Sequence, residues 1–166
     1  MTNLTFRLTK STTAVLGLLL ALPFATTQAD PMNVTATVLE VCELGTITDT
    51  AFGDLTPGSL VDKPGTGTIE WRCSDGTTAD ITINQGLNGD RTMDGPGVDT
   101  IAYELYKEVG LTNVWGDTAA LDLGVTGTGL SSFTTETVYG EVLHADYVDA
   151  LEGAYSDTVT VLITIN

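Results

Sequence analysis

The sequence predicts an all-β domain, a sandwich of immunoglobulin-like type, on three observations. Apolar residues recur with a period of two along several short segments, glycine-rich turn clusters separate those segments, and two cysteines can staple them together. A small closed barrel is the other architecture that suits this pattern. No segment offers a long amphipathic helix, and no repeat of fixed period is present.

The chain opens with Arg7 and Lys10 ahead of an apolar run from Ala14 to Phe24, which gives way to small and polar residues ending in Thr27-Gln28-Ala29. This is the pattern of a secretory signal peptide, residues 1–29, with cleavage after Ala29. The run is short for a membrane span, and no second apolar stretch follows, so the exported chain is expected to be soluble outside the cytoplasm. Removing 29 of the 166 residues leaves 137, enough for one domain with a real core and too few for a second module.

Next comes a segment, 30–41, in which Met32, Val34, Ala36 and Val38 alternate with Asn33, Thr35 and Thr37. Extended, it presents one apolar row. Periodicity alone leaves two readings open: the first strand of the sandwich, or a strand offered to another sheet. Cys42 and Cys73 then meet an oxidising compartment, where one intramolecular disulfide is expected. It would close a loop of about thirty residues and contribute roughly 3–4 kcal/mol by restricting the unfolded chain.

The strands follow in order. In 66–73, Ile69, Trp71 and Cys73 alternate with Thr68, Glu70 and Arg72; in 79–83, Ala79, Ile81 and Ile83 alternate with Asp80 and Thr82. Residues 101–107 continue the pattern, and 137–143 is rich in β-formers. In the closing run Tyr155, Asp157, Val159, Val161, Ile163 and Ile165 share one side, with Ser156, Thr158, Thr160 and Thr164 opposite. Turns are expected at 56–59, 63–65, 74–76, 88–90 and 94–97, each built on Gly with Pro, Asn, Asp or Ser, and 124–129 reads as a loop or strand edge.

Charge and motifs narrow the function classes. Once the signal leaves, four basic residues (Lys63, Arg72, Arg91, Lys107) face all 22 acidic ones, a net of −18. Such a surface repels nucleic acid and anionic lipid; it suits attraction of cations or growth in salty surroundings, and more simply it keeps the protein soluble. No catalytic residues, cofactor or metal site are indicated. The single histidine, His144, has no nucleophile motif beside it, and two cysteines with one distant histidine make no zinc site. The oxygen-rich run 88–95 lacks the spacing and terminal Glu of an EF-hand loop, so turn chemistry is the better reading. A monomeric secreted carbohydrate-binding module is a different class of function, and it would need exposed aromatics such as Trp115 or Tyr147; as core residues these would fill the sandwich instead.

In order and spacing, a set of landmarks resembles the spore coat protein U family, the domain that builds archaic chaperone-usher pili in Gram-negative bacteria. The landmarks are the alternating segment before Cys42, Ala51-Phe52-Gly53-Asp54-Leu55, Trp71-Arg72-Cys73-Ser74-Asp75-Gly76, 84–91 with Met93, Ile101 to Tyr106, Val138-Tyr139-Gly140, and 153–161. The resemblance implies an incomplete immunoglobulin-like β-sandwich, 42–166, completed by a donor strand from a neighbouring subunit. It implies a donor row of Met32, Val34, Ala36 and Val38, and a groove wall on the C-terminal strand with Val159, Val161, Ile163 and Ile165 inward. It pairs Cys42 with Cys73. The implied partners are a periplasmic chaperone, an outer-membrane usher and further copies or related pilins, with a route through the periplasm to the cell surface and roles in attachment and biofilm. A spore- or cyst-coat role would use the same exchange. The chain departs from the family in ending Thr164-Ile165-Asn166 where an aromatic residue is common, which bears on chaperone docking and not on fold. A single domain with the extension in place suits a shaft or adaptor subunit.

Overall fold

Two strands, β2 (Lys63–Cys73) and β3 (Thr78–Ile83), carry the core, because each alternates strictly between buried and more exposed residues. Ile69, Trp71 and Cys73 of β2 face Ala79, Ile81 and Ile83 of β3 in one buried cluster. The computed structural model describes residues 27–166. It divides into a segment ending at Ala36 and a body of residues 37–166. The expected signal peptide lies outside the described residues except for its last three. In the first segment, residues 27–36 have no regular secondary structure and are exposed.

In the body, β1 (Cys42–Ala51), β2, β8 (Thr134–Val142) and β6 (Glu104–Tyr106) form a four-stranded sheet in the order β1-β2-β8-β6. A second sheet runs β7-β3-β9, with β7 at Leu123–Thr126 and β9 at Val161–Ile165. A ribbon of β4 (Thr92–Asp94) and β5 (Thr100–Ala102) joins them, and α1 (His144–Tyr147) is a single turn. All the pairings are antiparallel. These are two open sheets, so the closed barrel is set aside.

Trp115 and Tyr147 are both fully buried, Trp115 with its indole N–H donating to the Ile81 carbonyl at 2.8 Å and Tyr147 with its hydroxyl donating to the Val61 carbonyl. They are core, and provide no surface for a sugar. Cys42 and Cys73 are disulfide-bonded where β1 begins and β2 ends, at directly paired positions. One residue earlier, Val41 and Ser74 exchange backbone and side-chain hydrogen bonds, so the chain enters the sheet tightly held.

Several sequence expectations are corrected. The strand β1 was not foreseen: CELGTITDTA lacks clean alternation, and two register shifts, between Leu44 and Ile47 and between Thr48 and Ala51, bend it against β2. The turn expected at 63–65 is instead the start of β2, paired with Val142, Glu141 and Gly140. Pro64 is tolerated there because the last β1–β2 pair is Ala51 with Thr66, so β2 is bonded on one side only. Gly67 is needed because a Cβ would come within 2.7 Å of the Thr48 carbonyl on the crossing strand. The single strand expected over 101–107 is two strands in different sheets, β5 and β6, separated at Tyr103. Of the closing run only Val161–Ile165 is a paired strand; residues 155–160 keep the alternation in burial without belonging to a ladder.

With a sequence separation of 31, the disulfide restricts a long unfolded loop. Replacing Cys42 and Cys73 by Ser should lower unfolding free energy by about 3 kcal/mol, measured by urea denaturation of oxidised wild type against the double variant.

Candidate functional site

A groove of about 1120 Å³ lies within the body, lined by residues of both sheets. Its floor is apolar core: Ile69, Ile83, Ile101, Leu105 and Val138. One wall is β1 from Ile47 to Ala51, continued by Phe52 to Leu55; the other is the extended chain from Tyr155 to Val161. The first wall is an edge strand, since β1 ends its sheet; the second is the chain that leads into β9, which ends the other sheet. A groove between two unpaired edges with an apolar floor has the shape and the hydrogen-bonding valence of one more strand.

Side chains hold the second wall where no ladder does. The Tyr103 hydroxyl donates to Asp157 Oδ2 at 2.6 Å, and Asp157 Oδ1 accepts from the backbone N–H of Leu87 at 2.9 Å and of Thr158 at 2.7 Å. Asn84 Oδ1 accepts from Thr160 N–H at 2.7 Å, and Ser156 exchanges two backbone bonds with Asp94. Burial first, and then the hydrogen bond to Asp157, push the Tyr103 hydroxyl far above the usual phenol range, so it stays a proton donor. Below it lies Arg91, 3% exposed, with its guanidinium 5.9 Å from the Tyr103 ring centre and donating to the Ile83 and Trp115 carbonyls. At the end of the groove the Asp99 carboxylate accepts from the Tyr155 hydroxyl and from Leu151 N–H, tying the 151–155 loop to the β4–β5 turn.

Val159 and Val161 line the groove. Ile163 packs on the core beyond it, and Ile165 is 38% exposed outside the lining, because it pairs with Ala79 at the far end of β3. Met32, Val34 and Val38 are exposed, as is Ala36, and none of the four is in a strand; the first strand starts after them, at Cys42. Sequence reasoning missed the β1 wall, Tyr103 and Asp157. One signal was available: Asp157 is a carboxylate in an otherwise apolar inward row. His144 Nδ1 lies 2.7 Å from Asp62 Oδ1, and this carboxylate also accepts from the His144 backbone N–H at the start of α1, a helix-start contact with no nucleophile beside it. Among the described residues no group of three or more His, Cys, Asp or Glu is placed to hold a metal ion.

The architecture is an immunoglobulin-like β-sandwich left open along one edge. The sequence profile of the Spore Coat Protein U domain matches residues 28–162, and the chain belongs to that family. It is 33% identical over 114 residues to Protein U of Myxococcus xanthus, covering 63% of this chain and 62% of that protein. Among solved structures it is similar to a chain of the CsuC–CsuE chaperone–tip adhesion subunit pre-assembly complex, from archaic chaperone-usher Csu pili of Acinetobacter baumannii. That match has a TM-score of 0.53 and 24% identity, and covers 76% of this chain and 40% of the other; it supports the shared fold. The chain thus spans less than two thirds of either protein.

The Tyr155 hydroxyl and the Leu151 N–H hold Asp99 below its ordinary 3.8. A depressed carboxylate stabilises the fold at pH above its unfolded value and loses that contribution as pH falls through the folded one. Urea midpoints should therefore be flat from neutral pH to near 4 and fall below it, and Asp99→Asn should flatten the acid limb measured across the same range.

Proposed function

We propose that this protein is a structural subunit of an archaic chaperone-usher pilus, polymerising by donor-strand exchange. The observation that carries the reading is the groove between the edge of β1 and the chain leading into β9, in a protein whose segment 30–41 alternates apolar and polar residues, has no regular secondary structure and is exposed. Met32, Val34, Ala36 and Val38 of one copy enter the groove of the next as its missing strand, bonding to β1 and to the wall that carries Val159 and Val161. Family membership and the fold shared with a pilus subunit complex support it. A periplasmic chaperone covers the groove first, and an outer-membrane usher exchanges the chaperone's strand for the donor's. The signal peptide at 1–29 brings the chain to that compartment, and the fibre displays it on the cell surface for attachment and biofilm formation.

The energetics suit such an exchange. Burying one Met, two Val and one Ala is worth roughly 5–8 kcal/mol gross by side-chain transfer, before ordering costs are subtracted. Backbone pairing on both edges adds to it and removes an aggregation hazard. The disulfide at the root of the donor fixes where the extension leaves the body.

A second reading, a spore- or cyst-coat protein built by the same exchange, is favoured by the description of the family and by the similarity to Protein U. Immunoelectron microscopy of the producing cells separates the two, since label on thin filaments supports the pilus and label confined to a coat layer supports the coat.

In unboiled gels and size exclusion of the oxidised protein, the wild-type chain should give a ladder of heat-sensitive polymers. Val34→Asp or Val38→Asp should abolish the ladder while leaving the disulfide intact, because a carboxylate would have to enter an apolar groove at a cost of several kcal/mol. Normal polymers from both variants would rule out donor-strand exchange through this row.

A further inference from the structure

The wall of the groove from Tyr155 to Thr160 has an unusual status. Its inward side chains alternate correctly, yet its pairing is limited to a single antiparallel bridge between Ser156 and Asp94. In an extended chain successive backbone groups point to opposite sides. On one side every N–H is accounted for: Ser156 bonds to the Asp94 carbonyl, Thr158 to Asp157 Oδ1, and Thr160 to Asn84 Oδ1. On the other side, the backbone N–H and C=O groups of Asp157 and Val159 make no hydrogen bond among the described residues, although both residues are half-buried. These groups face the groove, where water or an incoming strand can pair with them.

We propose that Asp157 and Tyr103 are positioning residues that hold this wall extended with one edge free, so that the backbone of Asp157 and Val159 is presented to an incoming strand. Asp157 does this because a single carboxylate accepts from three directions: the Tyr103 hydroxyl across the groove floor, Leu87 N–H in the preceding loop, and Thr158 N–H in its own segment. Tyr103 is itself fixed, since its backbone N–H donates to the Arg91 carbonyl and its ring lies against the buried Arg91 guanidinium. Arg91 has a left-handed backbone, with φ at 59°, and binds the carbonyls that end β3 and precede Gly116. Gly86, also left-handed with φ at 84°, leaves the space into which the Asp157 carboxylate fits. Without this anchorage, a segment bonded along one edge over an apolar floor would settle onto β1 and bury that floor itself. The break between β5 and β6 gains a purpose here, because it is at Tyr103 that the chain leaves one sheet for the other.

This inference rests on the donor-strand reading, and the test separates the two. The full exported chain carrying Val34→Asp and Val38→Asp, which keeps an unaltered groove but has no competent donor of its own, is oxidised, isolated as the monomer by size exclusion and titrated with a fluorescent synthetic peptide of residues 30–41 of the natural sequence, and anisotropy gives the affinity. This donor-blocked chain should bind; adding Tyr103→Phe or Asp157→Asn to it should weaken binding at least tenfold with far-ultraviolet circular dichroism and disulfide unchanged. Ile81→Val, buried in β3 outside the groove lining, should lower the melting temperature and leave peptide affinity unaltered, which marks the difference from a merely structural role. Undiminished binding by both Tyr103→Phe and Asp157→Asn overturns the positioning role alone. Absence of binding by the donor-blocked chain with its groove unaltered overturns the donor-strand reading and this inference with it.

Discussion

Everything in this structure follows from two strand edges that have no neighbour. In a closed sandwich the faces are covered by the opposite sheet and the edges by solvent or loops. Here β1 and β9 end their sheets on the same side of the core, and the floor between them remains accessible. Apolar floor and unsatisfied backbone together define what can fill the space. A small molecule could cover the floor but would not answer two rows of N–H and C=O groups; an extended peptide answers both.

The rest of the fold keeps that opening from closing or spreading. The Cys42–Cys73 bond pins β1 where it enters, so the wall that faces the groove is held by covalent chemistry at one end and by pairing with β2 along its length. Across the groove, Asp157, Asn84 and Asp99 do with side chains what a ladder does elsewhere. The use of carboxylates for this task accords with a very acidic chain that retains few cations, one of which, Arg91, is buried beneath the groove floor and bonded to carbonyls. A guanidinium placed there fastens the end of β3 to the loop at Trp115, at the cost of desolvating a charge.

The proposed function, recognition of a strand, leaves little of the usual trace of a site. Among the described residues no cluster of His, Cys, Asp or Glu is placed to hold a metal ion, and recognition of a strand would rest chiefly on backbone valence and on the rhythm of apolar side chains. The recognisable features are instead an edge without a neighbour in the body and, before it, an alternating segment without regular secondary structure. Family membership brings those two halves together, because residues 28–162 carry both the extension and the body in one profile.

Alternation along 66–73 and 79–83 was enough to determine the central strands, because β2 and β3 each bury one full face and a period of two admits no other assignment. The disulfide partners and the buried state of Trp115 and Tyr147 were likewise legible, from compartment and from the need of a small sandwich for aromatic filling. The edges were not. β1 is bulged and carries Gly45 and Asp49, so nothing local marks it as a strand, and its pairing with β2 and the bond to Cys73 create it. The residues 155–160 looked like a strand and lack a ladder, because pairing is a property of the neighbour and not of the segment. The run 101–107 looked continuous and is divided at Tyr103, whose hydroxyl has its acceptor 54 residues away at Asp157. Periodicity records which face of a segment meets apolar surroundings, and so the sequence by itself determined the class of fold and the central strands; which edges stay open depends on contacts between distant residues, and only the tertiary structure decided it.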